Sequence, residues 1–456
     1  MNIYLHVEIS SRELDSKLLL AALAASRGHQ VIISDLVGIE KGVKSGALVP
    51  GIFHTKSLSP HKVKIDRHKR MIDRGFIITS LDEEGMLNDY GYQRFVKTRY
   101  SDETIEQSTA VFGWGSDDVD ALKQTYSKHS HKIYKTGSPR ADLWKPFFSD
   151  YWSVPATVPK KPFLLISCNT GFANNIKSFG EIIKFENEMG RYQSFPKQLE
   201  QRIGRAAEDF EKILAYIKAI KYLSDHNKGY DIVLRPHPAE DIEAWKIFLN
   251  DIPNVHVLRD GPINAWVNNA FAVMHNSCTT ALEATVLNKP VITYLPSEQK
   301  YSPQLANELG YRVKSLEELL GKVNTLFNSS KTSNKKELAE PLPSIISKKI
   351  LFDDELAAEK IIKIWESIDN KDLSSPPNLK KFKRILKYNM FKKIAKKVLR
   401  YLLPDKFNSV NKNPKFPDLN QHDVNEKIKK FQHILGLRKK LECKILSEKT
   451  IHIKYL

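Results

Sequence analysis

The chain is poor in cysteine, has no long apolar run, and carries few acids for its number of cations. Its 456 residues include three cysteines, Cys168, Cys278 and Cys443, far apart and without metal-ligand spacing. That pattern excludes a disulfide framework and predicts reduced thiols. No apolar run approaches the roughly 18–20 residues of a membrane-spanning helix. The opening "MNIYLHVEISSREL" lacks a basic stretch followed by an apolar one, so no secretory leader is expected and the predicted location is cytoplasmic. Against 53 Asp and Glu stand 71 Lys and Arg, a formal net charge of +18. This surplus is unevenly spread. "LKKFKRILKYNMFKKIAKKVLRYLL", Leu379 to Leu403, holds ten Lys or Arg and no acid, so the rest of the chain is only moderately basic.

What is present is an alternation of strand and helix signals. "NIYLHV" reads as a strand and "SRELDSKLLLAALAASRGH" as a helix with Leu18, Leu19, Ala22 and Leu23 on one face. Gly28 ends that helix before the strand "QVIISD". "GFIITS", "AVFGWG" and "KIYKTG" continue the series. After the proline-rich "SDYWSVPATVPKKP" a second series runs through "FLLISCN", a helical insertion over 175–227, "YDIVLRPHP", "NVHVLRD" and "AFAVMHNSCTTALEATVLNKPVITYL". Such repeats build parallel sheets. The expected fold class is α/β: two Rossmann-type domains facing a cleft, plus a basic helical C-terminal extension. The expected boundaries are 1–155, 160–335, a helix over 336–375 packing back on the core, and an extension over 376–456. Ligands of open parallel sheets bind beyond the carboxyl ends of strands, so "DEEG", "GSPRAD", "CNTG", "RPHP" and "HNSCTT" are expected around one cleft.

Ser277, Thr279 and Thr280 sit at a strand-to-helix junction, where free N–H groups and the helix dipole suit a phosphate. Plain helix capping is the alternative. His237, fixed between Pro236 and Pro238, can donate to a phosphate or a sugar hydroxyl. Its alternative is a structural loop histidine. Glu283, one turn into the helix, suits a ribose.

The pair "RPHP" (Arg235–Pro238) and "HNSCTTALEATVLNKPVITY" resembles the nucleotide-binding half of bacterial GT-B glycosyltransferases that use CMP-activated ulosonic acids, and more loosely the CDP-glycerol glycerophosphotransferases. The order of "VEISSREL", Lys56–Ser57, "DEEG", "VFGWG" and "GSPRADLW" is similar to that in surface-carbohydrate biosynthesis proteins of the β-Kdo transferase type. "FLLISCNTGFANN", with Asn169, fits the same pattern. The resemblance covers about residues 1–370. It implies a GT-B-like enzyme that transfers Kdo or a related sugar acid from its CMP donor to a lipid-linked glycan with retention. Arg235, His237, Pro238, Ser277, Thr279, Thr280, Glu283 and Asn169 would then hold the nucleotide. The acid-acid-glycine pattern falls on Glu83, Glu84 and Gly85, and the proline–arginine–acid loop puts a second carboxylate at Asp142. Which acid takes which role is open. Ser138 stands where the family usually has Asn.

A ketosidic transfer passes through an oxocarbenium-like state, which one carboxylate attacks or stabilises while another moves the acceptor proton. Adjacent carboxylates raise one another's pKa, as an acid/base group requires. Gly85 is expected to turn the chain so that the acids point inward; capping of a following helix is the alternative for Asp82 and Glu83. Arg12, Lys56 and Arg140 suit the donor carboxylate or the acceptor, and each also suits a plain ion pair. A CMP donor carries a single phosphate, so neither a metal nor another cofactor is expected. In the basic segment Phe382, Ile385, Leu386, Phe391, Ile394, Val398 and Leu402 recur at helical spacing. This predicts a helix on an anionic membrane surface, peripheral on the inner face of the inner membrane, with packing on the protein as the alternative. No nucleic-acid partner is expected. Two other functions compete with the transferase: a CDP-alcohol phosphotransferase and a non-catalytic membrane-bound assembly factor.

Overall fold

The computed structural model describes residues 1–85, 92–194, 197–227, 229–332, 343–368, 373, 375–388, 390 and 416–456. The chain forms two compact units, the first from Met1–Leu143 with Ser344–Leu456 and the second from Trp144–Pro343. Each is a Rossmann-like layer structure around a mainly or wholly parallel sheet.

In the first unit, strands β1 (Asn2–His6), β2 (Gln30–Ser34), β3 (Ile52–Thr55), β4 (Ile77–Leu81), β5 (Ala110–Gly113) and β6 (Ile133–Lys135) run parallel in the order β2-β1-β3-β4-β5-β6. Their near-continuous apolar runs fit strands covered on both faces; Ile3, Tyr4, Leu5 and Val31–Ile33 are all buried. The helix α1 (Ser10–Ser26) is buried on every side from Glu13 to Ala25. It is sandwiched between the sheet and the C-terminal helices Ala357–Glu366 and Gln421–Ile434, so its apolar residues wrap the whole cylinder instead of forming one stripe.

The second unit holds β7 (Phe163–Ser167), β8 (Asp231–Arg235), β9 (Val255–Val257), β10 (Ala272–His275), β11 (Val291–Tyr294) and β12 (Tyr311–Val313), all parallel, in the order β12-β11-β10-β7-β8-β9. The boundary between the units falls at Leu143/Trp144, before the proline-rich stretch. Asn268 Nδ2, which donates to Ser149 O at 3.3 Å, ties that stretch's start to the second unit.

The C-terminal extension is not helical throughout: after the helix Gln421–Ile434 it ends in strands, the last of them within the strand-like "TIHIKYL". Strands β13 (Leu441–Ser447) and β14 (Thr450–Tyr455) form a hairpin, and β14 pairs antiparallel with β2, Ile451 opposite Ile33 and Ile453 opposite Val31. The helical stretch over 379–388 lays Phe382 and Leu386 into the first unit's core. A Cβ on Gly42 would lie 2.5 Å from Leu48 Cγ and 2.7 Å from Phe382 Cε2, so the glycine leaves room for both side chains. Burial of such a phenyl group is worth about 2 kcal/mol. Lys380, Lys381, Lys383, Arg384 and Lys387 face solvent. In its described part, then, the apolar face packs on protein rather than on a membrane; Phe391, Ile394, Val398 and Leu402 lie outside the described residues. No helix among the described residues is long and apolar enough to cross a membrane.

Candidate functional site

In the first unit the chain goes from β1 outward to β2 and then crosses to β3 on the other side, so the loops after β1 and β3 part and leave a crevice at this switch point. Polar residues meet there. Lys56, directly after β3, lies 2.7 Å from Glu8 Oε2 and 3.2 Å from Glu13 Oε1. Glu13, in the first turn of α1, accepts from Glu8 N at 2.7 Å. Burial pushes the Glu13 carboxyl up, but Lys56, the Glu8 N–H, Lys17 and Arg12 together outweigh it and hold it below the usual range. Burial likewise opposes the Lys56 charge, and Glu13 and Glu8 overcome it, so its pKa is raised.

The "DEEG" turn follows β4, next to β3, and every acid in it is paired with a cation, Asp82 and Glu84 sharing Arg99. Asp82 is buried and receives a two-pronged bond from Arg99, at 2.9 and 2.7 Å; it also accepts from Glu84 N at 2.9 Å. Burial still wins, and its pKa is raised. Glu83 is buried with Oε1 2.7 Å from Lys17 Nζ, while its Oε2 is enclosed without a hydrogen-bond partner among the described residues. Glu84 is half exposed, 3.2 Å from Arg99 and 3.6 Å from Arg12. Arg12 Nη2 also lies 3.5 Å from Glu13 Oε1, while its Nε is enclosed without a hydrogen-bond acceptor among the described residues. His6, at the end of β1, is buried; desolvation lowers its pKa to about 3, so it is neutral, and its Nδ1 also lacks a partner among the described residues.

The chain turns at Gly85, whose N–H donates to Asp82 O at 3.2 Å, and the glycine also leaves room for a neighbouring ring. A Cβ there would lie 2.7 Å from Trp114 Cδ1. The Trp114 indole must come this close because its Nε1 donates to Asp82 O at 2.7 Å.

Asp142, expected as the second carboxylate, has a structural task. It is buried, and its two oxygens accept from Ala357 N and Ala358 N, each at 3.0 Å. It caps a helix whose own N-cap residue, Leu356, has no side-chain acceptor. Ser138 accepts from Arg140 N at 3.2 Å as the N-cap of Pro139–Asp142. Serine and asparagine are equivalent caps, so the departure at Ser138 leaves the turn intact. Arg140 is half-buried beside Asp142 in sequence.

The second unit has its own switch point, between β7 and β10. Asn169 Nδ2 bridges it to Ser277 O at 3.4 Å, and Arg205 Nη2 donates to Asn169 O at 3.4 Å. Ser277 has φ +55°, strained for a residue with a side chain. Asn307 holds it there, accepting from Ser277 N at 2.7 Å and donating to Ser277 Oγ at 3.0 Å. Ser277 therefore shapes the turn. Thr280 is buried and accepts from Ser167 Oγ at 3.0 Å, and Glu283 is buried, whereas Thr279 is exposed. Arg235 is buried and donates to Asp260 O and Gly261 O at 2.6 and 3.0 Å with its guanidinium over Trp266, a structural clamp. His237 and Pro238 are exposed at the end of β8.

Sequence reasoning missed the residues that hold these loops. Glu240 is buried and accepts from Thr170 N (3.0 Å), Thr170 Oγ1 (2.6 Å), His237 N (3.0 Å) and Trp245 Nε1 (2.8 Å), locking the "CNTG" loop to the "RPHP" loop. Lys17, Arg99, Glu8, Glu13 and His6 were likewise missed. Only the position of His6 and Glu8 at the end of a strand signalled them.

No family model and no curated protein matches the chain. Among solved structures it is similar to an S. aureus MnaA–UDP co-structure (13% identity, TM-score 0.45, 79% of this chain and 94% of that one). It is also similar to Methanocaldococcus jannaschii UDP-GlcNAc 2-epimerase in complex with UDP-GlcNAc and UDP (12%, 0.45, 80% and 99%). A third is Anabaena Alr3699/HepE in complex with UDP-glucose (9%, 0.41, 81% and 100%). At these identities and scores the likeness assigns neither activity nor ligand.

Proposed function

We propose that the chain is a glycosyltransferase acting in surface-carbohydrate synthesis, which moves Kdo or a related ulosonic acid from a CMP donor to a lipid-linked glycan. One observation carries the reading: Glu83 is held by Lys17 through one oxygen and keeps the other enclosed without a partner among the described residues, at a strand end one strand from the switch point. A carboxylate so fixed loses no reorganisation energy when positive charge develops on the sugar carbon. Glu83 is then the group whose negative charge stabilises the oxocarbenium-like centre, and the more exposed Glu84 takes the acceptor proton. Arg12 and Lys56 hold the donor carboxylate. Within the second unit, the exposed Thr279 and His237 offer donors that suit a phosphate, on loops held in place by Glu240 and Asn307. The basic segment beyond residue 390 brings the enzyme to an anionic membrane surface. No metal is part of this reading.

The test is CMP release from CMP-Kdo by purified protein with a lipid-linked acceptor, beside thermal shifts with CMP, UMP, UDP and GMP. CMP should shift the melting temperature most, and E83Q should fold and release no CMP. Equal shifts for all nucleotides, or full turnover by E83Q, sinks the reading.

A further inference from the structure

The long helix Lys197–Asp225 buries one side against its own unit. Its opposite side carries Leu199, Ile203, Phe210 and Leu214, which are 36%, 52%, 62% and 54% exposed, with the exposed Ala207 between them. Ile203, Ala207, Phe210 and Leu214 follow one another at steps of four, three and four residues, the seam spacing of two packed helices. Exposed side chains of this size in one line mark an interaction surface.

We infer that this face is a two-fold interface with a second copy of the chain, the two long helices lying antiparallel. Charge selects that occupant. Glu200, Glu211 and Lys218 are exposed along one flank of the stripe. In an antiparallel two-fold pair the same flank of each helix faces the other, in reverse order. A register centred on Asp209 sets Glu200 against the partner's Lys218, twice by symmetry. The same register brings the partner's Leu214 opposite Gly204, where Leu199, Glu200, Ile203, Gly204 and Tyr301 line a groove of about 460 Å³. Gly204 makes that groove: a Cβ on it would lie 2.4 Å from Tyr301 Cε2. The bulky Phe210 then lies over the small Ala207 of the partner near the axis, the large-on-small match that seams need. A seam of four helical turns is a small interface, so the dimer depends on concentration.

Sedimentation velocity of the full chain tests this at concentrations up to about 100 µM. Wild type should pass from monomer to dimer across the series, and F210D should stay monomeric with an unchanged melting temperature. E200K and K218E should each weaken the dimer roughly tenfold, since each sets two like-charged pairs face to face. The double reversal E200K/K218E should restore it. A wild type that stays monomeric throughout, an F210D that dimerises, or a double reversal no better than the singles overturns the interface. None of these outcomes bears on the transferase reading.

Discussion

Replacing Asp142 separates a structural carboxylate from a catalytic one. Its oxygens take the N–H groups of Ala357 and Ala358, both at 3.0 Å and both buried. Alanine would leave two enclosed donors at the start of a helix that has no other cap. An orphaned buried donor costs about 1–3 kcal/mol and bonds to an ionised acceptor lie at the upper end, so D142A should lose about 3 kcal/mol. That is a drop of about 1 M in the urea midpoint if the slope is about 3 kcal/mol/M. D142N keeps one acceptor and turns an amide N–H towards the other donor, so it should lose nearly as much despite its shape. Both variants, measured below their unfolding transition, should keep CMP release within a few-fold of wild type. The helix carries Trp365, whose Nε1 donates to Thr79 Oγ1 at 3.1 Å, so urea unfolding followed by tryptophan fluorescence reads the loss. A D142A protein as stable as wild type refutes the capping account, and loss of turnover at unchanged stability returns Asp142 to the chemistry.

K17M should cost about 3–5 kcal/mol in chemical denaturation, because it leaves the Glu83 carboxylate buried and uncompensated; K17M/E83Q should recover most of that. G85A must displace Trp114 or the acid turn, so CMP release should fall at least tenfold and the protein should lose about 1–3 kcal/mol in urea unfolding. Stability should decline as pH falls below about 6.5. Thr293 Oγ1 gives its proton to Leu309 O, so His275 Nε2 is the donor in their 2.8 Å contact. Burial then lowers the His275 pKa from 6.5 to about 3. Below pH 6.5 the unfolded chain takes up a proton that the folded chain refuses, so the stability present above that pH is lost towards pH 3. H275Q should flatten the decline in a urea-midpoint series, and an unchanged slope would exclude His275 as its source. His6 and His68, each lowered to about 3 by burial, add to the same decline.

The strands were legible because a strand covered on both faces must be apolar at consecutive positions, as "IYL" and "VII" are. The loops at their ends were legible because parallel sheets concentrate polar residues there. Partner identity was not. That Lys17 answers Glu83 depends on how α1 lies across the sheet. That Asp142 answers Ala357 spans more than two hundred residues, and neither leaves a local pattern. The basic segment misled because a helix with an apolar stripe and a cationic back has one sequence signature whether lipid or protein covers the stripe. Gly42 leaves room for Leu48 and Phe382 together, and a lone glycine forty residues into the chain does not announce such partners.

Three acids in a row within a cationic chain make sense once their neighbours are known. Glu8, Glu13, Asp82, Glu83 and Glu84 lie among Arg12, Lys17, Lys56 and Arg99, so this corner is close to neutral and the chain's surplus of charge lies elsewhere. Such mutual pairing fixes every side chain, which a site needs, at a cost in desolvation that a purely structural corner would avoid with apolar residues. The cost is greatest at Glu83 Oε2, Arg12 Nε and His6 Nδ1, enclosed polar atoms that spend no hydrogen bond among the described residues. Glu83 Oε2, Arg12 Nε and His6 Nδ1 gather near one switch point, and the proposed chemistry is put at Glu83 because it is the carboxylate among them.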